Sequence, residues 1–547
     1  MQCRASGIPV IICSLLFLCC GAPSSVAPLI SARLRCRESD VDEVIQEMIA
    51  AGLLGLDAHP VSLCYDMDAL RETLLAMKCA FPPHFLHAIA IKSNPLPFFL
   101  KCAVDLGFGL ECASIAEVVH ALRQGCSPDK VMFDSPAKSK REIAFALRHG
   151  VQLNADNFDE LDRIAQAHAN LQAQGIQSRS HVGVRVNPLE GLGKIKALSV
   201  SDLRSKFGIP LDETNRPLIL ERFREHAWLD AVHIHVGSQG CTMQQHASGA
   251  AKLVRLVEDI EGAVGAGRVR VVDIGGGLPV NFESDSVRPQ YAEYARILEQ
   301  VAPGLFTNPQ RRVVTEYGRS ASAKAAFAVC AVEYVKESGD GSCVRACVHA
   351  CVHPTNQPTN QPFINCIGDG LDIAVIQAGA DLFMRTCYVP ENFPLRISAH
   401  HWSDGKRLSC ADECESAGTV SKGRSTSHAH GDGVNGSRNW GNGNDRPHGH
   451  VRASAQVTIA GPLCFGGDKV ACEVKLPQLQ EGDFVVVHDA GANTLSTFSR
   501  HCSRTAPPVF GYYRERIGEG QEGAVLKVVL LKAAETVEQV LSFWGGA

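Results

Sequence analysis

The sequence predicts an α/β protein, a (β/α)8 TIM-like barrel followed by a mainly β C-terminal domain. Three observations predict it. Between residues 61 and 319, short apolar runs alternate with amphipathic stretches, the rhythm of parallel strands joined by crossover helices. After Ala321 the texture turns β-rich, without helical spans between the apolar runs. A length of 547 residues also exceeds one ordinary core, so at least two domains are expected. Pattern alone leaves a doubly wound open sheet as the alternative to a closed barrel.

Taken in order, residues 1–30 read as a targeting leader. Arg4 precedes an apolar stretch over 8–20, followed by the small residues Ser24, Ser25, Val26 and Ala27. Such a stretch has the form of a signal peptide and is too short to span a bilayer comfortably. Residues 31–60 are read as joining the second domain. Barrel strands are expected from the runs at 87–91, 130–133, 181–186, 231–236, 268–274 and 311–315. Helical periodicity marks 115–124, 140–148, 158–169 and 246–263. The β domain is placed at 320–515, with runs at 325–335, 457–459, 471–476 and 483–488, and residues 516–547 complete it. Two low-complexity inserts interrupt it, 338–362 with a repeated Pro-Thr-Asn-Gln and 403–452 rich in Gly, Ser, Asn and His. Neither carries enough apolar surface to offset its ordering entropy, so both are expected to be disordered loops.

Composition excludes some functions. A net charge of -5 on this length leaves no nucleic-acid footprint, and no stretch beyond the leader is long enough to cross a membrane. Twenty-two cysteines are scattered through apparent core segments rather than framed as in a small secreted domain. That usage suits a reducing compartment. With the leader, it points to an organelle such as a plastid, and otherwise to the cytoplasm. Cys343, Cys347 and Cys351 with His349 and His353, and the pairs His428/His430 and His448/His450, lie in the inserts and read as solvated polar tract. No metal is expected.

The chemistry is carried by two segments. Lys92 ends the run Ala88-Ile89-Ala90-Ile91, and the triplet Gly275, Gly276 and Gly277 ends another, Val271-Val272-Asp273-Ile274. In a barrel, reactive side chains belong at the C-terminal strand ends, and phosphate is often held by loops after the late strands. A nucleophilic amine and a phosphate cradle at one mouth suit a pyridoxal 5'-phosphate (PLP) enzyme, in which a lysine forms a Schiff base with the cofactor.

These segments stand in a longer order: residues 87–95, Glu111-Cys112-Ala113-Ser114, His235-Val236-Gly237-Ser238-Gln239-Gly240, the glycine triplet, Glu316-Tyr317-Gly318-Arg319 and Gly461-Pro462-Leu463-Cys464. Over roughly residues 60–335 and 363–515 the chain resembles the fold-III PLP decarboxylases, which include the diaminopimelate, ornithine and arginine decarboxylases. The His-Val-Gly-Ser-Gln wording is most similar to the diaminopimelate branch. The resemblance implies decarboxylation of meso-diaminopimelate to lysine and CO2, a step of lysine biosynthesis, in a homodimer with shared active sites. It makes Lys92 the Schiff-base lysine, Glu316 the carboxylate at the ring nitrogen and His235 the ring-packing histidine. Ser238, Gly275, Gly276, Gly277 and Asn493 become phosphate contacts, and Arg185 adds positive charge near the cofactor, with a surface ion pair as the other reading. Cys464 would return a proton across the dimer interface. Arg319, Arg385, Tyr388 and Asp468 become the substrate side of the site.

Departures accompany the match. Phe465 stands where the family carries an acidic residue for the substrate's distal amine, Asn493 replaces a tyrosine, Tyr317 replaces a proline, and Arg385 is displaced by one position. Rival readings stay open: an ornithine- or arginine-type decarboxylase, or a non-catalytic regulatory homologue. A racemase is disfavoured, because its Lys-Ala-Asn-Ala-Tyr wording differs from Lys92-Ser93-Asn94-Pro95.

Overall fold

The structure is a computed structural model that describes residues 35–337, 371–410, 450–516 and 524–546. The leader, insert 338–362 and most of insert 403–452 lie outside the described residues. The described residues divide into two compact units, the first built from 67–281 and 285–325 and the second from 37–66, 282–284 and those described between 326 and 546.

In the first unit eight parallel strands close on themselves: β1 (Phe85–Ala90), β2 (Gly109–Cys112), β3 (Val131–Phe133), β4 (Gln152–Ala155), β5 (Val182–Asn187), β6 (Leu229–Ile234), β7 (Val271–Gly276) and β8 (Arg312–Tyr317). Val313 lies opposite Phe85 and Leu153 opposite Val182, so no edge is left between β8 and β1 or between β4 and β5. That closure rules out the open doubly wound sheet. Local chemistry starts the helices where the amphipathic periods begin. Ser139 and Glu142 form a capping box for helix Lys140–His149, which ends at Gly150 with φ 77°. Thr242 and Gln245 do the same for helix Met243–Val264. Ser114 accepts from the Glu117 N–H at the start of helix Ile115–Arg123.

In the second unit, strand Val61–Asp66 runs antiparallel to Ala326–Glu337 and parallel to Val509–Arg516, within a nine-stranded sheet. Helix Glu38–Ala50 belongs to this unit and buries Val41, Val44, Ile45 and Met48. The unit is not free of helices, as its sequence texture suggested. Met384–Tyr388 and Val537–Phe543 are helical, but at 5 and 7 residues they are too short to show a 3.6-residue period. Among the described residues the cysteines are free thiols, and no helix is long and apolar enough to cross a membrane.

Candidate active site

Barrel geometry delivers Lys92, His235, the glycines and Glu316 to one end, with two acids the sequence reading gave no role. Lys92 follows β1 in a short 3-10 turn, Glu111 is on β2, Asp134 follows β3, His235 follows β6, Gly275 and Gly276 end β7, and Glu316 is on β8. Half of the Lys92 side-chain surface stays open, while Glu111 beneath it is almost fully buried. Lys92 Nζ donates to both Glu111 oxygens at 2.6 Å.

An amine that must attack an aldehyde has to lose its proton, which burial and nearby cations favour, but the surroundings of Lys92 act the other way. Desolvation does act to lower its pKa, but Glu111, Glu316 and Asp134 outweigh it and hold the ammonium above its ordinary range. Glu111 in turn is pushed up to about 7, first by burial and partly restrained by Lys92. Lys92 therefore keeps its proton at neutral pH, and Glu111, bonded to it through both oxygens, is the group placed to accept that proton when the lysine must act as a neutral nucleophile.

Glu316 is buried, with Oε2 3.5 Å from His235 Nδ1 and 3.7 Å from His233 Nε2, and its Oε1 has no hydrogen-bond partner. Burial would raise its pKa. His233 and His235 prevail and hold it well below the usual carboxylate range, so Glu316 is an anion. Both imidazoles are depressed mainly by burial, His233 to about 4.

The glycine triplet is a cradle that only glycine can line. Gly275 and Gly277 have φ of 67° and 97°, and a Cβ on Gly276 would lie 1.7 Å from the Glu316 carbonyl oxygen. A Cβ on Gly277 would lie 1.9 Å from the Gly237 carbonyl oxygen, so the Ser238 turn abuts the triplet directly. Gln239 ties the two loops, donating to the Val280 carbonyl (2.6 Å) and accepting from the Val280 N–H (2.9 Å). A cradle with no side chain in it, beside a buried anion, fits a phosphate and a protonated ring. Gly276→Ala is expected to destabilise the fold by about 3 kcal/mol in chemical denaturation, because backbone cannot yield. Gly466→Ala, with nothing within 4 Å of its Cβ, is the neutral control.

Arg185 on β5 is not in a surface ion pair. It is buried, 3.8 Å from Asp156 and packed 4.6 Å over the Phe207 ring. Arg319 starts a short helix after β8 and is half-buried.

The second unit holds the other predicted residues. Cys464 is exposed, so it is not the buried structural thiol that cysteine abundance would suggest. Phe465 stacks on Tyr388 (5.5 Å, 15°) and meets His501 edge-on (6.4 Å). Arg385 Nη1 is buried without a hydrogen-bond partner, and its guanidinium lies 5.7 Å from the Phe393 ring centre. Asn493 takes φ 55° in the turn after Gly491. Asp468 must be corrected. Its carboxylate is buried and accepts from the Ala380 (2.5 Å) and Leu463 (2.6 Å) N–H groups. It holds the 461–468 turn together and is not free to receive a substrate.

Sequence reading passed over four polar residues around this mouth. Glu111 lay inside a quoted motif without a role. His233 sits two residues before His235, Asp273 lies just before Ile274 and the glycines, and Asp134 follows the run at 130–133. A period of two along strands that end at a site was the signal that could have found them.

Known proteins agree with this arrangement. Residues 67–323 match the family model described as "Pyridoxal-dependent decarboxylase, pyridoxal binding domain", and residues 414–491 match "Pyridoxal-dependent decarboxylase, C-terminal sheet domain". Diaminopimelate decarboxylase of Helicobacter pylori is 24% identical over 447 residues, covering 80% of this chain and 87% of that protein. The Pseudomonas aeruginosa enzyme of the same name is 30% identical over 257 residues, or 47% of this chain and 59% of its own length. Among solved structures, the Helicobacter pylori diaminopimelate decarboxylase complexed with L-lysine aligns with TM-score 0.62 and 21% identity, covering 89% of this chain and 96% of that one. The Paramecium bursaria Chlorella virus arginine decarboxylase aligns with TM-score 0.61 and 16% identity, over 86% and 100% of the two chains. With a closed barrel that sets a lysine, a buried carboxylate and a glycine cradle at one mouth, the chain belongs to the pyridoxal-dependent decarboxylase family.

Proposed function

We propose that this chain binds pyridoxal 5'-phosphate at the barrel mouth and decarboxylates an amino acid, with meso-diaminopimelate giving lysine and CO2 as the first choice. The observation that carries this reading is the juxtaposition of Glu316, held as an anion, with a triplet whose Gly276 leaves no room for a Cβ beside it. Gly275, Gly276, Gly277 and Ser238 would hold the phosphate, His235 would pack on the ring, Asn493 would add a phosphate contact, and Arg185 would add positive charge behind them. Bound there, the cofactor supplies an electron sink for the pair left when the substrate carboxylate departs. Lys92 supplies the amine that joins it, with Glu111 taking the proton that amine must lose.

Arg319 supplies a guanidinium fork for a substrate carboxylate. Arg385 and Tyr388 serve the distal end. When the bond between Cα and the carboxylate breaks and CO2 leaves, a proton must reach Cα. Cys464 of the partner subunit is suited to give it, in a homodimer with shared sites. Its exposure on the single chain supports that role. The test is CO2 release by purified protein with PLP from meso-diaminopimelate, ornithine and arginine side by side. Release from diaminopimelate alone supports the reading, release from ornithine or arginine moves the chain to the polyamine branch, and release from none makes it a non-catalytic homologue.

Phe465 allows a sharper check of substrate. If diaminopimelate is received beside the Tyr388–Phe465 stack, Phe465→Glu returns a carboxylate to the distal ammonium. Its KM for diaminopimelate is expected to fall about tenfold, the worth of one charge-assisted hydrogen bond. An unchanged KM would place the distal end elsewhere.

A further inference from the structure

Beneath Glu316 the barrel buries three groups that the proposed reaction leaves unused, Asp134 (7% exposed), His233 (1%) and Asp273 (0%). One ligand-type atom from each, with one from Glu316, all lie within 4.8 Å of one another. Asp134 is fixed at both ends. Its N–H donates to the Cys112 carbonyl (3.0 Å), and its Oδ1 accepts from Asn154 Nδ2 (2.7 Å). Its Oδ2 is buried with no hydrogen-bond partner. His233 stands between the two carboxyls, Nδ1 3.6 Å from Asp134 Oδ1 and Nε2 3.7 Å from Glu316 Oε2. Asp273 Oδ1 accepts from the Gly275 N–H (2.9 Å), and its Oδ2 is unpartnered as well.

Three carboxyls this close and this dry cannot all be ionised. The groups that act on Asp134 decide which one keeps the charge. Glu111, Asp273 and Glu316 oppose its ionisation, Arg185 favours it, and Lys92 stands nearer the mouth. Imidazole ring nitrogens gather on Glu316, whose Oε2 is approached by both His233 and His235. We propose that Asp134 is a neutral carboxylic acid at neutral pH and acts as a positioning residue, confining the negative charge of the cluster to Glu316. Burial first, then the Glu316 charge, pushes the Asp134 carboxyl well above its ordinary range, in keeping with this assignment. A protonated Asp134 also brings an O–H that an ionised one lacks, able to turn its unpartnered Oδ2 into a donor toward the acceptors around it. The bearing on catalysis rests on the role proposed for Glu316, whereas the protonation does not.

The test uses the full chain without cofactor. An acid that keeps its proton in the folded state beyond the unfolded pKa loses stability as pH rises. Asp134→Asn has no such proton. Its thermal midpoint relative to wild type should therefore climb between about pH 5 and about pH 8. A midpoint difference that stays flat or falls over that range overturns the proposal, because an Asp134 already ionised in the folded state gives up no proton there. Infrared spectra at neutral pH should show a protonated-carboxyl carbonyl stretch that weakens in the variant; equal bands overturn it. Should Asp134→Asn not fold, Asp134→Ser carries the same two readings. If no substrate is decarboxylated, the melting and infrared outcomes still decide the proton.

Discussion

Lys92→Ala is expected to lower kcat/KM for decarboxylation on the order of 10⁴-fold, since a group that forms a covalent bond has no substitute. The same variant should lose the absorbance near the visible edge that PLP gains on joining a lysine. Folding is expected to survive the change. Glu111 would lose the cation bonded to both of its oxygens, but its carboxyl already stands near 7 and can take up a proton rather than remain a buried unpaired charge. Near-normal melting with lost absorbance is thus the expected pattern. Retained absorbance would show that another amine meets the cofactor.

The second large effect concerns Glu316. Glu316→Gln keeps the shape and removes the anion, so kcat is expected to fall on the order of 10²–10³-fold, the range seen when one preorganised electrostatic group is lost. KM should change far less, because Arg319 and the distal residues are untouched. His233 and His235 lose their shared carboxylate, and their already depressed pKa values should fall further. Asp273 and Asp134 are relieved of the neighbour that opposes their ionisation, so one of them can lose a proton and restore part of the charge. Steady-state kinetics with proton titration of the apo-protein would reveal both effects.

How far these features could be read from sequence follows from what each strand carries. The runs that gave six barrel strands each hold valines, isoleucines or other apolar residues frequently enough to stand out, as suits strands packed on both faces. The two strands passed over are Gly109–Cys112 and Gln152–Ala155. They bury Glu111, Gln152 and Asn154, so hydrophobic pattern was silent where the interior turns polar to build a site. Lys92, Glu316 and the glycines were legible because their motif order constrains them. Asp134, His233 and Asp273 were not, because each looks like an ordinary strand-end residue until the closed barrel brings them together. Asp468 misled for the opposite reason. Its place beside Cys464 suggested substrate, yet two backbone N–H groups hold its carboxylate.

The most direct measurement is reduction of the PLP-loaded protein with borohydride, followed by digestion and peptide mass mapping. A single pyridoxyl mark on the peptide containing Lys92 is the predicted result. A mark on a different lysine, or none on a protein that holds its cofactor, would contradict the placement of the reactive amine at the end of β1.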